Sequence, residues 1–301
     1  MSLDSQQLAA LRTRLDSGQL AALAAVIEFG SFDTAAIELK LTPSAVSQRI
    51  KALEQRVGQI LVVRERPCKA TAAGIPLVRL AAQTAMLESE ALSEAGVEIS
   101  TERRVAIAVN ADSMATWFPA VLSAGLDVLF DIRIEDQDLS SRLLREGVVM
   151  GAVTTERVAV PGCRVRRLGA MRYIPVASPA YFARYLAGGF TADAVAAAPS
   201  LAWSRDDGLQ DQLVHKAFRR AVARRIHYVP STEGFATAVS SGLGWGMYPD
   251  LLAEHALATG EFVRAADMYL DVPLFWQSWK LDSAVARSVS DAVVAAAHAL
   301  V

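Results

Sequence analysis

The sequence predicts an α/β protein in which a small N-terminal module is joined by one long helix to a larger C-terminal body. Three features of the sequence indicate this architecture. The chain has 301 residues, which suits about two domains of roughly 100–200 residues each. Hydrophobic residues make up 52% and charged residues 21% of the composition, which is enough for packed cores. The hydrophobic period changes from helical spacing before residue 100 to alternating strands and helices after it.

The first 70 residues read as three short helices followed by a β-hairpin. Apolar residues at helical spacing predict a first helix that ends near Gly30: Leu20, Leu23, Ala24 and Ile27. A second helix is predicted over residues 33–39. The third starts after Thr42, a good N-cap residue, with Pro43 at the first helical position. The segments ILVVRER and PCKA predict the two strands of the hairpin.

A long helix and a body of alternating elements complete the predicted fold. Residues 71–95 read as the long helix, in which Pro76 is expected to remove one backbone hydrogen bond, and residues 96–101 read as a linker. From residue 102, strands such as RVAIAVN, DIRIED and VVMGAV alternate with helices such as SMATWFPAVLSA. This alternation predicts parallel sheets flanked by helices, arranged as two small α/β lobes. The last helix is predicted over residues 286–299.

The expected domains follow from these elements. We place them at residues 1–70, 71–101 and 102–301. Within the last domain, one lobe is expected at residues 102–173 plus 267–301 and the other at residues 174–266.

Positive charge is concentrated at the end of the N-terminal module. Between Lys40 and Arg79 the chain has eight basic and two acidic residues, a net charge of +6, which leaves −8 for the rest of a chain whose total is −2. A basic module on an acidic body is typical of a protein whose N-terminal part binds a polyanion. From charge alone, a solvated basic face is the alternative.

The third helix has one apolar face and one polar, cationic face. The apolar face is formed by residues spaced 4, 3 and 4 positions apart: Val46, Ile50, Leu53 and Val57. The opposite face bears no carboxylate: Ser44, Ser47, Gln48, Lys51 and Gln55. Such side chains contact base edges and phosphates when a helix enters the major groove of DNA. An ordinary amphipathic surface helix is the alternative, but it does not explain the acid-free face.

Together with the helix before it, the third helix predicts a winged helix-turn-helix. The turn at Lys40 and Leu41 would join the two helices, and Arg64 and Arg66 in the hairpin would form a wing that reaches a phosphate or the minor groove. The predicted DNA-contacting residues are Thr42, Ser44, Ser47, Gln48, Arg49, Lys51, Arg64 and Arg66.

The segment GSFDTAAIELKLTPSAVSQRIKALEQRVGQILVVRER, residues 30–66, resembles the winged helix-turn-helix of LysR-type transcriptional regulators. The paired alanines of the second helix, the TPSAVSQ-I-LE core and the V-R element of the wing carry this resemblance. Further segments, AVNADSMATW, VVMGAVT, STEGF and FWQSWKLDS, are similar to the LysG/ArgP branch of that family. Members of that branch sense lysine or arginine and control basic amino-acid export genes.

The resemblance implies a DNA-binding head, a linker helix that pairs two subunits, and a two-lobed α/β effector domain like a periplasmic binding protein. The seam between subunits would include a stripe on the linker helix: Val78, Ala81, Ala85 and Leu92. Packing of this stripe on the chain's own body is the alternative. A two-fold dimer reads two half-sites of double-stranded promoter DNA. Assembly into tetramers, contact with RNA polymerase and activation of an exporter gene are also implied.

Residues at predicted strand ends indicate where an amino-acid effector would bind. In α/β sheets, ligands bind beyond the carboxyl ends of strands, often at helix N-termini. The strand VAIAVN ends at Asn110, and backbone N–H groups of the next residues, helped by Ser113, would hold an α-carboxylate. Acids from both lobes would bind the cationic groups, tryptophans would cover the aliphatic stem, and Thr154 is a further polar candidate. The acids are Asp112, Asp136, Asp206, Asp207 and Glu233, and the tryptophans Trp117 and Trp203. N-capping or surface solvation is the alternative role for each acid.

The remaining motifs predict no enzyme, no cofactor and no metal site. Cys68 and Cys163 are too few for a disulfide framework or a four-ligand zinc site, and the four histidines lack metal-ligand spacing. GLGWG lacks dinucleotide-loop spacing and is expected to turn into a strand, and no GxSxG element is present. The sequence lacks a signal-peptide pattern and a run of about 18 apolar residues, so a cytoplasmic protein is expected.

Three alternatives stay open. The first is an architectural or origin-binding DNA protein without effector control. The second is a LysR-type regulator with a different small-molecule effector. The third is an amino-acid-binding or catalytic α/β protein whose basic head is incidental.

Overall fold

The N-terminal module consists of three helices and a small hairpin, as predicted. The structure is a computed structural model that describes residues 15–97, 103–135 and 137–301. The elements are α1 (Ser17–Phe29), α2 (Phe32–Glu38), α3 (Pro43–Val57), β1 (Val62–Val63) and β2 (Lys69–Ala70). Thr42 caps α3 as predicted, because its Oγ1 accepts a hydrogen bond from the Ala45 N–H at 3.2 Å. Gly30 ends α1 at a φ of 68°, a left-handed conformation that glycine adopts without a Cβ clash.

The long helix α4 (Ile75–Glu94) begins four residues later than predicted. Thr71 is held by the hairpin instead: its N–H donates to the Leu61 carbonyl at 3.0 Å and its hydroxyl to the Ile60 carbonyl at 2.7 Å. Pro76 therefore lies in the first turn of α4, where a missing N–H removes no intrahelical hydrogen bond. The expected loss of a hydrogen bond at Pro76 is wrong for this reason.

Helix α4 packs against both parts of the chain. Val78 and Ala81 are 6% and 7% exposed and lie in the core of the N-terminal module. Because these side chains are buried within their own chain, the structure contradicts their prediction as subunit-seam residues. The surface that covers them belongs to the N-terminal module and not to the C-terminal body. Ala85 and Leu92 are exposed, and their place in a seam stays a prediction. Two other α4 residues pack against the C-terminal core: Ala82 and Met86.

The C-terminal body is built on a seven-stranded sheet and a two-stranded sheet. Its described strands are β3 (Arg104–Val109), β4 (Leu129–Ile134), β5 (Gly151–Thr154), β6 (Cys163–Ala177), β7 (Ser200–Ala202), β8 (Ile226–Tyr228), β9 (Gly246–Pro249), β10 (Val263–Arg264) and β11 (Leu270–Trp279). Its described helices are α5 (Ala111–Ala115), α6 (Pro119–Leu122), α7 (Gln137–Glu146), α8 (Pro179–Tyr185), α9 (Ala192–Ala197), α10 (Leu209–Phe218), α11 (Thr232–Ser240), α12 (Asp250–Ala258) and α13 (Ala284–Ala296). A 3₁₀ turn, Ala297–Ala299, follows the last helix.

The large sheet is mixed rather than parallel. Its strand order is β10-β6-β11-β5-β3-β4, with β9 paired to β6. Among the described strands, β3–β4, β3–β5 and β7–β8 are parallel pairs, and every pair that includes β6 or β11 is antiparallel. The expectation of parallel sheets is wrong for these pairs, because the sequence predicted only the segment YIPVAS of β6 and no strand at β11.

Strands β6 and β11 pass between two groups of elements that form the two lobes. Strands β3 and β5 pack with α7, and α13 packs with β11 and α6, whereas β7 and β9 pack with α10, α11 and α12. The residue boundaries of the lobes stay predictions. Within the described ranges, none of the helices combines the length and the hydropathy that crossing a bilayer requires.

Candidate functional site

The face of α3 opposite its buried residues is polar and open to solvent. The buried side is formed by Val46, Ile50 and Leu53. Four predicted DNA contacts are exposed: Thr42, Ser44, Gln48 and Lys51. Two are half-buried: Ser47 and Arg49. Hydroxyl, amide and ammonium groups thus lie along one surface, the arrangement with which a helix contacts base edges and phosphates.

The tip of the hairpin carries the two predicted wing residues. Arg64 and Arg66 lie between β1 and β2, and both are exposed. The Arg64 Cζ is 5.0 Å from the centroid of the Phe32 ring at the start of α2, a cation–π contact that holds the hairpin beside the helices. Positive charge at this tip suits a phosphate backbone.

A cavity of about 400 Å³ lies between the two lobes. It is formed where the chain leaves β3 and β7, together with residues of α11, β6, β9 and β11. The ends of β3 and β7 therefore meet, as the α/β pattern predicts, and the volume lies in the range of small-molecule sites. Five predicted effector residues line the cavity: Asn110, Asp112, Trp203, Asp206 and Asp207.

Asp112 is held by a tyrosine on the cavity wall. The Tyr173 hydroxyl donates a hydrogen bond of 2.6 Å to Asp112 Oδ2. Burial raises the pKa of Asp112 above its ordinary value; the hydrogen bond from Tyr173 opposes this rise, and the charge of Asp207 adds to it. Burial and the Asp112 carboxylate raise the pKa of Tyr173 well above its usual value, so its hydroxyl remains a donor. Among the residues that the structure describes, none supplies a positive charge that lowers the pKa of this carboxylate, so its ionised form is left uncompensated by them.

Asp207 organises the loop that follows β7. Its Oδ2 accepts a hydrogen bond from the Trp203 N–H at 2.8 Å, and its Oδ1 accepts one from the Leu209 N–H at 3.0 Å. The loop brings Trp203 and Asp206 to the cavity. Asp206 is exposed, so solvent screens its charge more than that of Asp112.

Asp271 is a cavity acid that the sequence did not predict, and it is already paired. The Arg172 Nε and Nη2 donate to its Oδ1 and Oδ2 at 2.8 and 2.9 Å, a bidentate ion pair. The hydrogen bonds from Arg172 lower the pKa of Asp271. Because its charge is compensated, Asp271 attracts a cationic ligand less strongly than Asp112 does.

Four predicted effector residues are absent from the cavity lining. Two of them, Ser113 and Thr154, are buried and make hydrogen bonds to neighbouring residues instead. Ser113 is buried, and its N–H donates to Asn110 Oδ1 at 2.7 Å, so that N–H is not free for a carboxylate. Thr154 is buried in β5, where its Oγ1 accepts a hydrogen bond from Gln277, while the next residue, Thr155, lines the cavity. Side chains alternate along a strand, so the prediction was wrong by one position.

The other two residues are Trp117 and Glu233. The single helix expected over SMATWFPAVLSA is broken between α5 and α6, and Trp117 falls in the break, buried with its ring centroid 5.6 Å from that of Phe118. Glu233 is exposed in the first turn of α11, whereas its neighbour Thr232 lines the cavity. Asp136 lies outside the described residues.

Sequence reasoning missed several cavity residues. They are Thr155, Tyr173, Gln212, Thr232, Tyr248 and Asp271. The available signal for Tyr173 was a tyrosine within the apolar strand segment YIPVAS, since a buried tyrosine hydroxyl needs a hydrogen-bond partner. Asp271 gave no such signal, because no strand was predicted at β11.

The two cysteines and the GLGWG segment lie outside the cavity lining in the part of the chain that the structure describes. Cys68 and Cys163 are buried and unpaired, and burial raises the pKa of the Cys163 thiol, which lowers its reactivity. No group of three or more His, Cys, Asp or Glu among these residues would hold a metal ion. Gly242 has a φ of 72° and Gly246 starts β9, so GLGWG forms the predicted turn into a strand.

Known protein families match both parts of the chain. Residues 17–75 match the bacterial regulatory helix-turn-helix protein, lysR family, and residues 100–297 match the LysR substrate binding domain. The lysine export transcriptional regulatory protein LysG of Corynebacterium glutamicum is 40% identical over 277 residues, which cover 91% of this chain and 94% of that protein.

Two solved structures share this architecture over nearly the whole chain. The crystal structure of ArgP from Mycobacterium tuberculosis has a TM-score of 0.89 and 66% identity, and the match covers 95% of this chain and 99% of that one. Full-length LysG from Corynebacterium glutamicum with bound effector Arg has a TM-score of 0.77 and 39% identity over the same shares. These relatives confirm the predicted fold class, and they are transcriptional regulators rather than enzymes. The chain belongs to the LysR family of bacterial transcriptional regulators, with a helix-turn-helix domain that binds DNA.

Proposed function

We propose that this regulator acts in the cytoplasm, binds lysine or arginine in the cavity, and in response activates the gene of a basic amino-acid exporter. The Asp112 carboxylate carries this proposal, because it is held on the cavity wall and no cation from the described part of the chain compensates its charge. A carboxylate in such a position favours a cationic ligand. The name of the Corynebacterium relative includes lysine export, and its structure has bound arginine, which supports the same class of effector here.

The proposed effector contacts divide between charge and shape. Asp112 is the main ligand of the cationic group, because burial strengthens its attraction relative to that of the exposed Asp206. Asp207 adds negative potential and holds the loop on which Trp203 covers the aliphatic stem. Asn110 uses its oxygen to accept the Ser113 N–H, which leaves its NH₂ group to donate to the α-carboxylate.

The proposed DNA complex places α3 in the major groove and the hairpin tip on the phosphates. Ser47, Gln48 and Lys51 would contact base edges or phosphates, and the wing arginines would contact the backbone. A dimer paired through the exposed part of α4, including Ala85 and Leu92, would bind two half-sites. Tetramers of such dimers and contact with RNA polymerase would follow as in other LysR-type regulators.

Isothermal titration calorimetry tests the effector. The full-length protein is titrated with each standard amino acid, and we expect binding of L-lysine or L-arginine. Asp112→Asn should weaken this binding by at least about 30-fold, because removing one partner of a buried charge pair costs about 2–5 kcal/mol. Glu233→Gln is the control, since Glu233 is exposed outside the cavity lining. Failure of both amino acids to bind would contradict the proposal.

A DNA-binding assay separates effector control from an architectural role. A duplex is selected by the protein from random-sequence DNA, and its affinity, footprint and bend are measured with and without the bound amino acid. A change in any of these supports effector control. Three unchanged values would favour the architectural or origin-binding alternative, and a response to another metabolite alone would favour a different effector.

A further inference from the structure

One loop of the C-terminal body runs from the cavity to helix α4. Residues 155–162, here called the connecting loop, begin with Thr155 on the cavity wall and end at the start of β6. Near the end of this loop, the Pro161 carbonyl oxygen accepts a hydrogen bond of 2.7 Å from Arg79 Nη1. Arg79 lies in α4. The contact therefore joins a cavity-lining loop to the helix on which the DNA-binding module packs.

The connecting loop is held together by one side chain, Gln277 of β11. The Gln277 Nε2 lies 3.0 Å from the Glu156 carbonyl oxygen and 3.1 Å from that of Val158, and the Gln277 Oε1 accepts the Val160 N–H at 2.8 Å. Gln277 is completely buried. Because a buried amide that loses its hydrogen-bond partners destabilises the fold, we expect the loop to keep these contacts and move as a unit.

Helix α4 lies tightly against the body at Arg79. Gly147 has a φ of 78°, and a Cβ placed on it would be 2.6 Å from the Arg79 Cα. The residue before Arg79 is Val78, which is buried in the core of the N-terminal module together with Ala81. A shift of the connecting loop that moves Arg79 would therefore also move the residues on which the module packs.

The other end of α4 is anchored to a different element. The Glu90 Oε1 accepts hydrogen bonds from the Ser283 hydroxyl at 2.5 Å and from the Val285 N–H at 3.0 Å. The Glu90 carboxylate thus lies at the N-terminus of α13, where the helix dipole favours a negative charge. Since Ser283 and α13 are outside the cavity lining, α4 has one anchor away from the cavity and one, at Arg79, that is linked to it.

We propose that the connecting loop transmits the occupancy of the cavity to the DNA-binding module through the Arg79–Pro161 contact, an inference that rests on the proposed function because it requires an effector in the cavity. Coupling between two sites needs an element whose position both sites bias. The connecting loop meets this requirement, because Thr155 lines the cavity and Pro161 holds α4.

Arg79→Met tests the contact, and Arg157→Met is the matched control. Methionine keeps an apolar stem but cannot donate to the Pro161 carbonyl, and Arg157 is exposed on the same loop. For the full-length wild-type protein and both variants, calorimetry gives the affinity for L-arginine. Fluorescence anisotropy gives the affinity for the selected duplex with and without saturating L-arginine. The ratio of the two DNA affinities is the coupling factor, about 5- to 150-fold in typical allosteric proteins.

We expect Arg79→Met to bind L-arginine, and DNA without L-arginine, within about twofold of wild type, while its coupling factor falls towards one. By reciprocity, bound DNA should then change the affinity of this variant for L-arginine equally little. Arg157→Met should keep the wild-type factor. A wild-type factor in Arg79→Met, or an equal loss in Arg157→Met, would overturn the proposal. Absence of lysine and arginine binding to the wild-type protein would instead overturn the proposed function, and this inference with it.

Hydrogen exchange of the wild-type protein gives a second test that does not depend on the folding of a variant. Adding L-arginine should change the exchange rates of amide protons in the connecting loop and in the first turns of α4. If exchange changes at the other residues that line the cavity but in neither of these two segments, the proposal is wrong.

Discussion

Arginine binding is predicted to depend on pH through Asp112. In the empty cavity, burial raises the pKa of Asp112 above its ordinary value of 3.8. A guanidinium group bound beside the carboxylate favours the ionised form and lowers this pKa again. Binding therefore releases a proton, and the affinity falls as the pH decreases through the raised pKa of the empty site. Tyr173 and Tyr248 stay neutral in this range, because burial and the Asp112 charge raise the pKa of each.

The size of the effect follows from the number of titrating groups. One released proton gives at most a tenfold loss of affinity for each pH unit. Calorimetry from about pH 4 to about pH 8, in two buffers with different ionisation enthalpies, measures both the slope and the proton count. Asp112→Asn should bind weakly, and its affinity should not follow this slope. If the variant kept the wild-type slope, Asp112 would not be the titrating group.

The same substitution is predicted to stabilise the ligand-free protein. Because the folded-state pKa of Asp112 is raised, its contribution to the free energy of unfolding is greatest below the ordinary pKa and is lost as the pH rises through the raised value. At neutral pH, asparagine removes the unfavourable charge and keeps an oxygen that accepts from Tyr173. The melting temperature of Asp112→Asn without ligand should therefore rise, by about 2–4 °C for each kcal/mol gained. A lower melting temperature would show that the charge is compensated in the empty cavity.

Three further predictions concern the DNA-binding module and assembly. Gln48→Ala should cost about 1–3 kcal/mol of discrimination at one base pair, measured with duplexes that differ at that position; unchanged discrimination would argue against a base contact. Arg66→Ala should weaken binding to every duplex and reduce the slope of log affinity against log salt concentration by about one. An unchanged slope would contradict a contact between the wing and the phosphates. Leu92→Glu should shift sedimentation towards monomers, whereas Leu251→Glu should not, although the two leucines are almost equally exposed (46% and 45%). Equal behaviour of these two variants would contradict the seam.

The N-terminal module was predictable because its signals are local and agree with one another. Helix α3 has an N-cap at Thr42, a proline at the next position, and an apolar spacing that ends before Gly58. Each of these features acts within a few residues and needs no knowledge of the rest of the fold. The burial of Val78 was not predictable in the same way, because an apolar stripe on a helix does not indicate which surface covers it.

The cavity residues that directly follow a predicted strand could be predicted from the sequence. Those that lie within paired strands could not. Asp112 and Asp207 follow β3 and β7, and the ends of such strands meet in α/β folds. Tyr173 and Asp271 belong to the long antiparallel pair of β6 and β11, whose register depends on contacts distant in sequence.

Other predicted cavity residues were wrong because the ends of strands and helices were predicted a few residues away from their true positions. Thr154 and Thr155 are adjacent, yet only the second lines the cavity. Trp117 left the predicted helix because Pro119 starts a new one. Where a strand or helix ends therefore decides which side chain reaches a ligand, and sequence patterns fix this least well.

The sharing of α4 between two cores determines how sensors of this type can be recombined. A truncation of the chain after residue 70 would remove Val78 and Ala81, which pack in the same core as the α1 residues. The transplantable DNA-reading unit therefore extends to Glu94. A chimera that joins this unit to a different ligand-binding domain would also need a glycine opposite Arg79. Any side chain at the position of Gly147 would clash with the backbone of α4 and displace the helix.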